Sequence, residues 1–141
     1  MTQPLASPGN ALPSVLYIED NTANITLVEL LIKRRGDLNF LSATNGQRGI
    51  EMACAHMPVV IMMDIQLPDI SGYDALKALR ANPVTAHIPV MALSSDAYSR
   101  QIEQGIAAGF CQYLTKPFKI PELMEALDMC LTIAAETARP A

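Results

Sequence analysis

The chain has 141 residues, of which 50% are hydrophobic and 17% are charged, and its formal net charge is -4. This balance predicts one folded domain with its own core and excludes a disordered, highly charged chain. The acidic net charge gives no electrostatic footprint for nucleic acid, and no apolar run approaches the roughly 18 residues that a membrane span needs.

The ends of the chain differ in composition from its middle. Residues 1–13 are rich in Pro, Ser, Gly and Asn, so we expect a flexible leader there, a folded domain over 14–136 and a short tail over 137–141. The leader lacks the basic start and the apolar stretch of a secretory signal. Three cysteines without a Cys-x-x-Cys pair indicate reduced thiols in a cytoplasmic protein.

Strands and helices are predicted to alternate along the folded part. The first strand covers Ser14–Ile18, an apolar run that stops at charge. The first helix covers Thr22–Arg34, with Asn21 as its cap and Gly36 at its end. The remaining predicted strands are Leu38–Ala43, Val59–Met63, Pro89–Leu93 and Phe110–Leu114, and the helices are Gln47–His56, Tyr73–Arg80, Tyr98–Ala108 and about Pro121–Ala135. Five such units predict a parallel sheet with helices on both faces.

Acidic, basic or serine side chains follow four of these five strands where each strand ends, and only Thr44-Asn45-Gly46 follows the second. These side chains are Glu19 and Asp20 after the first strand, Asp64 after the third, Ser94 after the fourth and Lys116 after the fifth. Ligands of an open parallel sheet bind outside the carboxyl ends of its strands. We therefore expect three carboxylates, a hydroxyl and an ammonium group to converge on one edge of the sheet.

This set of groups indicates phosphoryl chemistry. Loops are polar in general, which explains any one of these residues alone. It explains poorly why two strands both end in acids, because clustered carboxylates repel one another without a cation. Three acids suit Mg²⁺, and an added lysine and hydroxyl suit a phosphoryl group bound beside it. A central carboxylate can then act as the nucleophile and form an acyl phosphate.

From Ser14 to Ala135 the chain resembles the receiver domain of bacterial response regulators. The motifs that carry the resemblance are VLYIEDN, MMDIQLPDISGYDAL, VMALSSDA and YLTKPF, in this order. The resemblance implies the α/β, flavodoxin-like fold, with a five-stranded parallel sheet in the order 2-1-3-4-5. It also implies a protein that assists only its own phosphorylation and dephosphorylation, rather than an enzyme acting on other molecules.

The resemblance implies roles for the acidic residues. Asp64 is expected to accept the phosphoryl group and to bind Mg²⁺, the expected cofactor. Asp20 is expected to bind the metal directly. Glu19 is expected to act directly or through water, because many receivers have an aspartate at this position. Gln66, two residues past the acceptor, is expected to offer its backbone carbonyl to the metal.

Further roles follow for the hydroxyl, the lysine and one aromatic residue. Lys116 is expected to pair with the phosphoryl oxygens, and Ser94 to sense the phosphorylated state. Tyr113 stands at the position of the family's switch aromatic, and the Lys116-Pro117 pair resembles one that is usually cis. The side chains of Gln66 and Asp96 flank the expected path of the hydrolytic water, where we expect them to tune the lifetime of the phosphorylated form.

The expected phosphoryl donor is a histidine kinase or a histidine phosphotransfer domain. The surface expected to change on phosphorylation covers residues 98–135, and a homodimer through this face is a further expectation. No direct contact with nucleic acid or a membrane is expected. The stretch Glu19–Asn24 resembles receivers of hybrid histidine kinases, so both a stand-alone regulator and a receiver within a larger chain stay open.

Three other classes of protein share parts of this pattern. A dehalogenase-type phosphatase needs a cap domain and a second acid two residues after the nucleophile, where this chain has Gln66. A dinucleotide-binding domain needs a glycine-rich first loop, and the stretch from Glu19 to Thr22 contains no glycine. The third is a degenerate receiver that docks other proteins without phosphorylation, against which the retained charged residues argue.

Overall fold

The structure, a computed structural model, describes residues 12–95 and 99–138. Across these residues five strands alternate with five helices. The strands are β1 (Ser14–Ile18), β2 (Asn39–Ala43), β3 (Val60–Asp64), β4 (Val90–Ser94) and β5 (Gln112–Thr115), and the helices are α1 (Thr22–Arg35), α2 (Gly46–His56), α3 (Gly72–Ala81), α4 (Ser99–Ala108) and α5 (Ile120–Ala138). All ten predicted elements are present, with small shifts in their ends. Most of the predicted leader and the last three residues of the predicted tail lie outside the described residues.

The five strands form one parallel sheet in the order β2-β1-β3-β4-β5. The order and direction implied by the family resemblance are therefore confirmed. The strand order reverses between β1 and β3, whose register pairs Val15 with Val60. In a doubly wound sheet this reversal opens a crevice at the carboxyl ends of the two strands, and ligands bind there.

Two apolar layers cover the sheet, one on each face. The first, here the α1/α5 core, contains Tyr17, Val28, Met62, Leu127 and other buried residues. The second, here the α2/α3 core, contains Ile18, Met63, Leu76 and other buried residues. Every residue of β3 and β4 is buried, as expected for strands covered on both faces. The central strands therefore hold their carboxyl ends rigidly at the edge of the sheet.

Three of the helices begin at a side-chain cap. Asn21 accepts a hydrogen bond from the backbone N–H of Asn24, and Asn45 and Ser71 cap α2 and α3 in the same way. Gly36 ends α1 with a left-handed φ of 79° that favours glycine. The cap and the stop predicted for the first helix are confirmed.

The fifth strand begins two residues later than predicted, at Gln112 rather than Phe110. The reason is the way α4 ends. Gly109 has a φ of 113°, and its N–H and that of Phe110 donate to the carbonyls of Ile106 and Gly105. This pair of bonds is a Schellman motif, which uses the N–H of Phe110 to close the helix.

Among the described residues, every helix is too short or too polar to cross a lipid bilayer.

Candidate functional site

Polar side chains from four strand ends meet at the carboxyl edge of the sheet. Glu19 follows β1, Asp64 ends β3, Ser94 ends β4 and Lys116 follows β5. One carboxylate oxygen from each of Glu19, Asp20 and Asp64 lies within 4.8 Å of the others. The structure thus brings together the acids and the lysine that the sequence analysis placed at this edge.

Glu19 is almost fully buried, with 1% of its surface exposed. Its Oε1 accepts hydrogen bonds from the Tyr17 hydroxyl at 2.8 Å, from Lys116 Nζ at 2.6 Å and from Asn24 Nδ2 at 3.3 Å. Its Oε2 accepts one from the backbone N–H of Asn21 at 3.3 Å. Burying a carboxylate without donors costs several kcal/mol, so this set of donors is what keeps Glu19 stable as an anion.

Asp64 is the last residue of the fully buried strand β3, and 6% of its surface is exposed. Its Oδ1 accepts the backbone N–H of Gln66 at 3.0 Å. Its Oδ2 accepts a hydrogen bond from Lys116 Nζ at 3.1 Å. Because the two donors bind different oxygens, they fix the orientation of the carboxylate at the sheet edge.

Lys116 reaches both acids from the end of β5, and 19% of its side chain is exposed. Its backbone N–H donates to the carbonyl of Ser94 at 2.7 Å, which ties the loop after β5 to the end of β4. The Lys116-Pro117 peptide is cis, as the family resemblance implies. The ammonium group therefore compensates two buried carboxylates at once.

The crowding of these groups shifts their pKa values in opposite directions. Burial raises the pKa of Asp64, and the neighbouring Glu19 raises it further, so it lies above its usual range despite Lys116. Burial also acts to raise the pKa of Glu19, but the hydrogen bonds from Lys116 and Tyr17 outweigh burial and lower it. Burial alone would lower the pKa of Lys116, but Glu19 and Asp64 raise it by more, so this pKa lies above its usual value. At neutral pH the cluster holds an ionised Glu19 beside an ammonium ion.

Tyr113 and Ser94 lie on neighbouring strands beside the cluster. Ser94 is 1% exposed and pairs with Thr115 across the sheet. Tyr113 is partly buried against the α2/α3 core. A methyl group added to Gly105 would lie 2.5 Å from Cδ2 of Tyr113, so the ring lies directly on the backbone of α4. The Tyr113 ring therefore packs on α4, whereas Glu19 and Asp64 bind Lys116.

The loop between β3 and α3 is anchored to the start of α2. Asp69 accepts the backbone N–H groups of Gly46 and Gln47, each at 2.8 Å. Within the loop, Gln66 forms an isolated antiparallel bridge with Ser71. Both contacts restrain the loop that contains Gln66, whose backbone carbonyl is expected from the family resemblance to bind the metal.

Sequence reasoning missed Tyr17, Asn24 and Asp69 as neighbours of this site. A signal for Tyr17 was present, because a tyrosine in a doubly buried strand needs a hydrogen-bond partner for its hydroxyl. Residues two apart in an extended chain lie on one face, which points from Tyr17 to Glu19. The contact of Asp69 with α2 joins residues 23 positions apart and had no such local signal.

The donor set of the cluster fits a hard divalent cation. Mg²⁺ binds through one or two carboxylates together with water and substrate oxygens, and three carboxylates are grouped here. The cluster also holds the Asp64 carboxylate beside the Lys116 ammonium group, and an ammonium group can pair with phosphoryl oxygens. An α/β sheet with an acid cluster and a lysine at its switch point defines a class of domain that can bind a phosphoryl group beside a metal ion.

The comparisons with known proteins agree with this class. Residues 15–128 match the family model of the response regulator receiver domain. The polar-differentiation response regulator DivK of Brucella anthropi is 36% identical over 119 residues, which cover 84% of this chain and 95% of that protein. DivK of Brucella ovis is 35% identical over the same length and coverage.

Solved structures show the same fold. The receiver domain of sensor histidine kinase PA1611 from Pseudomonas aeruginosa PAO1 has a TM-score of 0.78 and 30% identity, covers 86% of this chain and 99% of its own, and holds a magnesium ion in its active site cleft. The chemotaxis response regulator CheY4 of Vibrio cholerae has a TM-score of 0.78 at 22% identity and covers 86% of this chain and 100% of its own. The chain belongs to the response regulator receiver domain family of two-component signal transduction.

Proposed function

We propose that Asp64 is the residue of this receiver domain that accepts a phosphoryl group. The observation that carries the proposal is the position of its carboxylate, 3.1 Å from the Lys116 ammonium group and within 4.8 Å of two further acids. The site thus combines a nucleophile, a cation for the phosphoryl oxygens and a set of metal ligands. Protein kinases and nucleotide hydrolases place comparable groups around a transferring phosphoryl group.

The proposed transfer is a displacement at phosphorus. A carboxylate oxygen of Asp64 attacks the phosphorus of a phosphohistidine, a phosphorus–oxygen bond forms and the phosphorus–nitrogen bond breaks. The electron pair of the broken bond stays on the imidazole nitrogen, which takes up a proton from solvent. Lys116 pairs with the negative oxygens of the transferred group, and Ser94 donates a hydrogen bond to it.

Glu19, Asp20, Asp64 and the backbone carbonyl of Gln66 are the proposed Mg²⁺ ligands. When bound, Mg²⁺ neutralises negative charge on the phosphoryl oxygens and so lets a carboxylate approach them. Gln66 and Asp96 are further proposed to flank the water that later hydrolyses the acyl phosphate. Asp96 lies outside the described residues, so this part of the proposal rests on the sequence alone.

Phosphorylation is proposed to act through Ser94 and Tyr113 on the surface over residues 98–135. The new dianion draws Ser94 and Lys116 toward itself and biases an existing equilibrium between two arrangements of this surface. Tyr113 supports the idea because its ring lies against Gly105 of α4, which is part of that surface. A homodimer through this face is part of the proposal, with no direct contact to nucleic acid or a membrane.

The proposed partner is a histidine kinase or a histidine phosphotransfer protein of the cytoplasm. A cavity of about 380 Å³ beside Lys116 supports an approach from this side, and it is lined by Asn24, Leu27, Ser95, Lys116, Pro117 and Phe118. Leu27 is 46% exposed at its rim. A partner helix that covers this apolar rim would place a histidine near the acid cluster.

The test is phosphorylation by acetyl phosphate with Mg²⁺, read by intact mass against Asp64→Asn. We expect a gain of one phosphoryl group, labile to base and absent in the variant. An unmodified wild-type chain that still binds Mg²⁺ would favour the degenerate docking receiver instead. A phosphoryl group that persists in Asp64→Asn would move the acceptor to another residue.

A further inference from the structure

Tyr17 is a fully buried tyrosine that lies directly beneath the acid cluster. It belongs to the α1/α5 core, and its surface is 0% exposed. Its hydroxyl donates to Oε1 of Glu19 at 2.8 Å. A phenylalanine would fill the same space in the core, so the hydroxyl needs an explanation other than packing.

The Tyr17 hydroxyl contributes to an unequal distribution of hydrogen bonds between the two carboxylate oxygens of Glu19. Oε1 receives three donors, from Tyr17, Lys116 and Asn24, and a carboxylate oxygen has about two lone-pair sites. Oε2 receives the backbone N–H of Asn21 at 3.3 Å. Oε1 is therefore saturated by these three donors, whereas the Asn21 bond takes up one of the two lone-pair sites of Oε2.

Glu19 also needs more restraint than an aspartate at the same position. A glutamate side chain has one more rotatable bond, and ordering it costs conformational entropy. Hydrogen-bond donors that hold one oxygen of Glu19 order its side chain before Mg²⁺ binds, so less conformational entropy is lost on binding. Residues that hydrogen-bond to metal ligands orient those ligands in the same way in other metal sites.

We infer that Tyr17 is a positioning residue that holds Glu19 by Oε1 and so leaves Oε2 ready for Mg²⁺. This inference rests on the proposed function, because it assumes that the acid cluster binds the metal. This role of Tyr17 makes β1 part of the support of the site. It also explains how the longer glutamate side chain is held in place at a position where an aspartate would need less restraint.

The first test is Tyr17→Phe, with the Mg²⁺ dissociation constant measured by isothermal titration calorimetry in the absence of any phosphoryl donor. We expect the dissociation constant to rise on the order of tenfold, as is usual when an outer partner of a metal ligand is removed. The thermal unfolding midpoint without Mg²⁺ is measured in parallel to show that the variant is folded. A dissociation constant within about twofold of wild type would overturn the inference.

A double-mutant cycle with Glu19→Asp separates positioning from a general effect on the fold. The shorter aspartate withdraws the carboxylate from the Tyr17 hydroxyl, so Tyr17→Phe should change Mg²⁺ affinity less than twofold in the Glu19→Asp background. An equal loss in both backgrounds would mean that Tyr17 acts through the core rather than through Glu19, and the inference would fall.

A second variant covers the case in which Tyr17→Phe does not fold. Asn24 donates to the same oxygen from the partly exposed face of α1, where alanine is well tolerated. Asn24→Ala should weaken Mg²⁺ binding about threefold, and unchanged binding would count against positioning through Oε1. A folded wild-type chain that binds no Mg²⁺ would instead refute the proposed metal site itself.

Discussion

Lys116 Nζ and Glu19 Oε1 lie 2.6 Å apart, although the two residues are 97 positions apart in the chain. The same nitrogen lies 3.1 Å from Asp64. One ammonium ion therefore compensates two carboxylates that are buried side by side. Breaking such a pair by removing one partner is costly, because it leaves an uncompensated buried charge.

We predict that Lys116→Met destabilises the metal-free protein. The methionine keeps most of the aliphatic volume but removes the charge between the two acids. The free energy of unfolding at pH 7 should fall by about 1–3 kcal/mol, less than for a fully buried pair because Lys116 is partly exposed. Urea unfolding with and without Mg²⁺ measures this loss, and Mg²⁺ should recover more stability in the variant than in wild type. Lys119→Met, at an exposed lysine of the same loop, is the control, and an equal loss in both variants would contradict the prediction.

We predict that Gly105→Ala displaces the ring of Tyr113. The added methyl group would lie 2.5 Å from Cδ2 and 2.8 Å from Cε2 of that ring, closer than atoms approach in folded proteins. Overpacking of this kind costs about 1–3 kcal/mol, against a gain of about 1 kcal/mol from helix propensity. Denaturant unfolding gives the stability, and near-ultraviolet circular dichroism follows the tyrosine.

The matched control for this prediction is Gly105→Ala in a Tyr113→Ala background. With the ring absent, the same substitution should stabilise the protein by up to about 1 kcal/mol, because only the helix propensity remains. A similar cost in both backgrounds would show that another neighbour of Gly105 is responsible.

We predict that Asp69→Asn lowers stability in a pH-dependent way. The N–H groups of Gln47 and Gly46 lower the pKa of Asp69 in the folded state. A lowered pKa stabilises the folded state above roughly pH 4, the value in the unfolded chain, and this contribution is lost as the pH falls through the folded pKa. Thermal unfolding midpoints of wild type and Asp69→Asn should therefore differ at pH 7 and converge at acid pH.

Glu103→Gln removes one negative charge from an exposed position of α4 and is the control for Asp69. Its midpoint should follow that of wild type across the pH range. A difference between wild type and Asp69→Asn that stays constant with pH would show that the charge of Asp69 is not the cause.

We predict that Asp128→Asn weakens the contact between α1 and α5. Arg35, at the end of α1, pairs with Asp37 and with Asp128, each at 3.0 Å. Losing the Asp128 pair should cost about 0.5–1 kcal/mol of unfolding free energy, and less in 1 M salt, because screening weakens exposed pairs. Glu29→Gln, which breaks an exposed pair with Lys33 within one helix, should cost less. Equal costs at low and high salt would argue against an ionic contribution.

The sequence by itself determined the alternation of strands and helices and the edge of the sheet where the polar residues collect. Both follow from local rules, since apolar periodicity reports which face of an element is buried and parallel strands end on the same side. Caps and stops such as Asn21 and Gly36 were also readable, because they act within one turn of the chain. The strand order came from the family resemblance, since periodicity alone does not order strands.

Only the tertiary structure decided which side chains touch. It placed Tyr17 and Lys116 on the same oxygen of Glu19, Asp69 at the start of α2 and the ring of Tyr113 over Gly105. These contacts depend on side-chain rotamers and on the packing of helices against the sheet, with distances set to within an ångström. Lys116 and Asp69 contact residues 97 and 23 positions away in the chain, and no local pattern reports such distances.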